Sequence, residues 1–293
     1  METIKCSYCG MVNAASSETC AACQGELFGS QESAFGEAGA RAGQGYGAES
    51  QRAWSPAIGP FTNVGAVLTP TIEVFKNNLW LITKIVFVVF APYEIFKAME
   101  VSSGRSDWQV SIGILFMALV CKALLSPALI YALVTVMRTG RAPGVSEAYR
   151  WGLGRLGRIM ICAVLAWILE LLGFIALIIP GIILGLAFEI VYPMAALENR
   201  SPTEILKRSW NLTKGYRGRI FVASLVIALL CWVVAMPVGL LTGIFVMTNL
   251  NYWPVSIAAA LITDVVYQSM TVLSLIIYLS LVTHHPQDVI IEE

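Results

Sequence analysis

The chain has 293 residues, as many basic as acidic side chains, and only 13% charged residues against 57% hydrophobic ones. Soluble domains carry about a quarter charged residues, so a water-facing globule is excluded, and zero net charge gives no bulk attraction to nucleic acid. The charge deficit is concentrated after residue 78, where apolar runs exceed the roughly 20 residues that cross a bilayer as a helix.

The chain opens with Cys6-x-x-Cys9 and Cys20-x-x-Cys23, two pairs separated by ten residues. Two such knuckles bring four thiolates to one tetrahedral centre, the closed ligand set of structural zinc. Gly10 and Gly25 follow the pairs, where tight turns need permissive backbone. A segment this short cannot fold on apolar burial, so bound Zn2+ would have to stabilise it by roughly 10 kcal/mol or more. Residues 1–26 therefore read as a small zinc ribbon, with a redox dithiol or an iron–sulfur site as the competing readings. Lys5 faces Glu2, Glu18 and Glu26 in this segment. That balance lacks the basic footprint of a nucleic-acid binder and favours docking to a protein partner.

Residues 27–62 are rich in Gly, Ala, Ser, Gln and Glu. They bury too little apolar surface to offset ordering entropy and read as a flexible linker, with a reach of roughly 30 Å. The apolar run of the first 30 residues is too weak for a signal peptide, so the first spanning helix is expected to lead insertion.

Residues 63–293 read as an all-α polytopic membrane domain of about six transmembrane helices: 80–101, 110–137, 159–179, 181–198, 219–246 and 254–283. Pro180-Gly181 interrupts a long apolar run and is expected to turn a tight hairpin between the third and fourth spans. Arg138, Arg141, Arg150, Arg155 and Arg158 lie between spans two and three. Arg200, Lys207, Arg208, Lys214, Arg217 and Arg219 lie between spans four and five. The turns at Pro180 and at 248–253 have no Lys or Arg, and Arg105 in the first turn is countered by Asp107. The positive-inside rule puts the basic loops, and with them both termini, in the cytoplasm of a cell with an inner (plasma) membrane. Thiols there are reduced, which favours metal over disulfides.

Three segments precede membrane entry with the same order of residues: 69–78, 142–152 and 201–211. Each has a proline, then Glu73, Glu147 or Glu204 opening EVFK, EAYR or EILK. Proline and glutamate suit a first helical turn, and the apolar–basic mixture suits a helix lying in the cytoplasmic interface. Glu147 and Glu204 also precede Pro180 and Pro237 by the same 33 residues. Three units follow, each an interfacial helix and a transmembrane hairpin.

Lys122, Glu170, Glu189 and Asp264 fall near mid-span, where a charge costs a few kcal/mol and marks a functional hypothesis. Glu94 and Lys97 sit toward the outer end of the first span and are expected to reach water. Gly181-x-x-x-Gly185 and Gly239-x-x-x-Gly243 would allow close helix packing. Cys121, Cys162 and Cys231 read as packing residues, and His284-His285 as an interfacial pair. No phosphate loop, nucleophile elbow or catalytic carboxylate pair is present.

The stretch from Pro180 to Ala228 carries Pro180-Gly181, the Pro-x-x-x-Leu-Glu run ending at Glu198, and Ser-Trp-x-Leu-Thr-x-Gly from Ser209 to Gly215. It resembles the membrane domain associated with glycerophosphoryl diester phosphodiesterases and the related YciC-like bacterial membrane proteins. The resemblance implies a helical membrane domain. It implies no phosphodiesterase activity, because that chemistry resides in a separate soluble barrel absent from this chain. The chain thus reads as a non-enzymatic membrane protein whose ribbon docks a cytoplasmic or membrane partner. The alternative is a transporter or lipid-handling protein working through the mid-membrane charges. Membrane lipids are implied partners either way, and homo-oligomerisation is left open.

Overall fold

In the computed structural model the described residues are 3–5, 12–14, 58, 61–102, 108–247 and 253–284. The four ribbon cysteines, almost all of the linker, Arg105, Asp107, the turn at 248–252 and His285 lie outside them. Two short strands, β1 (Thr3–Lys5) and β2 (Val12–Ala14), pair antiparallel with Lys5 opposite Val12.

The rest is helical, and the chain is an all-α multi-pass membrane protein. α1 spans Gly65–Asn77, α2 Leu79–Ser102 and α3 Trp108–Thr139. α4 (Val145–Leu153) leads into α5 (Leu156–Ala176), followed by α6 (Ile178–Phe188) and α7 (Val191–Leu197). α8 (Pro202–Leu212) leads into α9 (Arg217–Met247) and α10 (Trp253–His284). Six stretches are long and apolar enough to span a bilayer: 79–100, 112–139, 156–176, 178–197, 217–245 and 253–282. They are apolar over most of their circumference, as a helix bathed in lipid must be. α10 is the hub: 61% of its apolar stretch is buried inside the protein, against 22% for α5 and α9. It packs on α9, α2, α1 and α7, so the core is built around it.

The three short helices α1, α4 and α8 each precede a pair of spans, the layout expected of a three-unit repeat. Their glutamates do not play one common role. Glu204 accepts a hydrogen bond from the Ser201 backbone N–H at 3.1 Å, capping α8. That bond, with the Ser201 side chain, holds its carboxyl below the usual range. Glu147 also lies in a first turn but accepts from Tyr131 Oη at 2.6 Å. Glu73 sits deep inside α1, past Pro70, so the helix-dipole reading does not apply to it. Two units share an interfacial clasp instead: the Arg155 guanidinium lies 3.8 Å over Trp151, and Arg217 lies 3.8 Å over Trp210. Amphipathic rings with a cation stacked on them suit the headgroup level. Phe61, fully buried, stacks on Tyr216 and its carbonyl accepts from Arg219 Nη1 at 2.9 Å. The N-terminal segment therefore joins the membrane domain beside the α8–α9 link.

Two expectations about the third and fourth spans need correction. The chain turns at Leu177, which is extended (φ −169°, ψ 155°), and Pro180 lies in the first turn of α6, where a missing N–H costs no helical bond. The glycine serves the hairpin differently. A Cβ on Gly173 would lie 2.5 Å from Leu184 Cδ1 and 3.0 Å from the Gly181 Cα, so only bare backbone lets α5 and α6 touch here. Gly173→Ala is expected to lower stability by about 1–3 kcal/mol through overpacking, read as a lower Tm of the detergent-solubilised chain. An unchanged Tm would show that α6 can simply shift aside. Gly185, Gly239 and Gly243 have nothing within 4 Å of a Cβ, so they make no close helix contact among the described residues.

Candidate functional site

The fourth span is the second correction: it is broken. α6 ends at Phe188, Ile190 leaves helical geometry (φ −95°, ψ 8°), and α7 begins at Val191. Pro193 accounts for the break. It has no N–H to donate to the Glu189 carbonyl four residues earlier, and its ring crowds that carbonyl. In hydrocarbon a freed backbone group needs a protein partner. Ser274 Oγ on α10 donates to the Glu189 carbonyl at 2.6 Å, and Ser209 Oγ on α8 donates to the Ala187 carbonyl at 2.6 Å. The discontinuity is thus built and satisfied from two other helices.

Beside the break lies a cavity of 470 Å³ lined by α3, α5, α6, α7 and α10. Three of the four residues singled out from sequence line it: Lys122, Glu170 and Glu189. Lys122, near the middle of α3, is exposed, as are Tyr192 and Tyr267 on the lining, so the cavity opens sideways. Ser126, Gln268, Thr271 and Ser274 complete its polar wall. Gln268 donates to the Asp264 carbonyl at 3.1 Å and accepts from Thr271 Oγ1 at 3.1 Å, which fixes the amide on α10.

Asp264 does not line this cavity. It lies within electrostatic reach of Glu94, Lys97 and Lys122, and its Oδ2 is buried with no hydrogen-bond partner among the described residues. Glu94 does not reach water as expected: it is 4% exposed and ion-paired to Lys97 one turn on. Lys122 thus shares the cavity lining with Glu170 and Glu189 and is within electrostatic reach of Asp264. Cys121, Cys162 and Cys231 are all buried, in keeping with packing roles.

A second polar centre was not singled out from sequence. Glu198, 2% exposed at the end of α7, is ion-paired to Arg200 and Arg208 at 3.1 Å each and accepts from Tyr278 Oη at 3.0 Å. Close by, Arg158 donates to the Ala195 carbonyl at 3.1 Å and to Asn199 Oδ1 at 2.7 Å. Gly215, in the α8–α9 link, has φ 90°, a left-handed backbone that side chains rarely adopt. The motif residues from Glu198 to Gly215 thus tie α5, α7, α8 and α10 into one corner. The signal for this centre was a lone glutamate flanked by arginines in an otherwise apolar span.

No family model matches the chain, and neither a curated protein nor a solved structure matches it.

Proposed function

We propose that the chain is a non-enzymatic membrane protein that takes the zwitterionic head of an amphiphile sideways from the bilayer into the cavity beside the broken helix. The observation that carries this reading is Lys122, exposed at mid-span and lining one cavity together with Glu170 and Glu189. A bare ammonium facing hydrocarbon is costly, and ionisable groups at that depth mark substrate or ion paths. An anionic group on the ligand suits Lys122, a cationic one suits the carboxylates, and Tyr192 and Tyr267 offer hydroxyls at the rim. Binding beside a discontinuous helix near the midplane is also a transporter's arrangement. The resemblance of residues 180–228 to YciC-like membrane domains fits a membrane role without phosphodiesterase activity.

Lys122→Met and Glu189→Gln are each expected to weaken binding of a fluorescent phosphatidylethanolamine analogue to the purified chain by tenfold or more. Their Tm should stay within a few degrees of the parent. If both variants lose only thermal stability and bind the analogue as before, the charges serve helix registration and the reading fails.

A second function is supported by the pairing of β1 with β2. The antiparallel strands Thr3–Lys5 and Val12–Ala14 lie on either side of the Cys6-x-x-Cys9 pair in the chain, the order expected of a ribbon. On this reading Cys6, Cys9, Cys20 and Cys23 hold one structural Zn2+, and the ribbon docks a protein partner on the cytoplasmic side with both termini. The chain purified under reducing conditions should contain one zinc per molecule by elemental analysis. Cys20→Ser should lose it and the partner crosslink while leaving the membrane helicity unchanged. A metal-free parent with intact thiols would remove the ribbon.

A further inference from the structure

A different surface, apart from the midplane cavity, is rich in basic side chains. The connection from Glu198 to Arg219 carries six basic residues and two acidic ones. Both acids are engaged: Glu198 is enclosed by Arg200, Arg208 and Tyr278, and Glu204 caps α8 through Ser201. The cap leaves the α8 N-terminus occupied, so any anion here must be held by side chains. A groove of 310 Å³ lies along α8, lined by Arg200, Glu204, Lys207, Arg208, Asn211 and Leu212. Three cations line it, of which Arg200 and Arg208 are already paired with Glu198 and Lys207 is not among the described residues, and Glu204, which caps the helix, lies beside them.

The position of the groove says what kind of anion reaches it. α8 lies where α7 ends and α9 begins, at the level at which two spans leave the bilayer. Trp210, three residues after Lys207 and next to Asn211, is part-exposed with Arg217 stacked over its ring, an anchor for the headgroup layer. Basic pockets between helices at this depth suit lipid phosphate. We infer that the groove on α8 seats the phosphate of an anionic phospholipid headgroup from the leaflet on the basic-loop side, held by Arg200, Lys207 and Arg208 with Asn211 as a neutral donor.

The test uses the full chain in detergent, titrated by native mass spectrometry with phosphatidylglycerol, phosphatidylcholine and inorganic phosphate in turn. Lys207 and Asn211 are exposed and one turn apart, so Lys207→Glu and Asn211→Asp alter the groove without touching the Glu198 cluster. Phosphatidylglycerol is expected to bind at least tenfold more tightly than phosphatidylcholine. Lys207→Glu should lower that affinity about tenfold while leaving phosphatidylcholine binding and Tm unchanged, and Asn211→Asp should act in the same direction. High salt should weaken phosphatidylglycerol binding in the parent and less so in the variants. In the Lys122→Met background, which removes the zwitterion site, equal binding of the two lipids, or a Lys207→Glu change that leaves phosphatidylglycerol binding unaltered, would overturn the assignment. So would inorganic phosphate displacing the lipid at equal concentration, since the groove would then be a soluble-anion site.

Discussion

Glu198→Ala is expected to cost the membrane domain about 3–5 kcal/mol, because it leaves a buried cation without its counter-charge. The Arg208 side chain is only 10% exposed and its Nε lies 3.1 Å from Glu198 Oε1. The same oxygen accepts from Tyr278, buried on α10, so one deletion takes an acceptor from a guanidinium and a phenol on two different helices. Arg200, 27% exposed, keeps access to water and contributes less. Glu198→Gln should fall between parent and alanine, since an amide oxygen still accepts from Tyr278 but carries no charge. Replacing both members, Glu198→Met with Arg208→Met, should recover most of the loss, as apolar replacements of a buried pair often do. Thermal unfolding of the detergent-solubilised chain reads all four. A Tm for Glu198→Ala equal to the parent's would mean that water reaches this corner and that the cluster does not hold α7, α8 and α10 together.

Much of the architecture was legible because lipid imposes simple rules. A run with no charge and enough length must cross, and the expected spans match the observed ones to within a few residues. The short helices α1, α4 and α8 were legible from apolar–basic mixing next to proline. What the run of hydropathy concealed was everything decided by single backbone groups. Pro180 looked like the turn residue, yet proline in a first helical turn is harmless, and the chain bends at Leu177, which carries no local signal. Pro193 was the informative proline, because a residue four positions earlier, Glu189, loses its helical donor. Of the mid-span charges, Lys122, Glu170 and Glu189 do line one cavity, while Asp264 turns toward Glu94 and Lys97. Sequence gives the depth of a charge along its helix but not its azimuth. The α10 wall could have been found: Asp264, Gln268, Thr271 and Ser274 recur at helical spacing in an otherwise apolar span, which marks one polar face.

The broken span makes a sharper prediction than its individual contacts. Ser209→Ala and Ser274→Ala should each cost about 1–3 kcal/mol, because each takes the donor from a buried carbonyl. Pro193→Ala restores an N–H at the position that can bond the Glu189 carbonyl along the helix, making the Ser274 hydroxyl redundant. The double variant Pro193→Ala with Ser274→Ala should therefore lose clearly less stability than the two single changes predict, a coupling measured by a double-mutant cycle. Strict additivity would show that the proline does not create the need that Ser274 meets. The same double variant also separates stability from function. A continuous helix through residues 178–197 rotates the Glu189 side chain relative to Lys122 on α3, so ligand binding in the cavity should fall even where thermal stability has returned. Retained binding in a straightened helix would mean that the break serves packing alone.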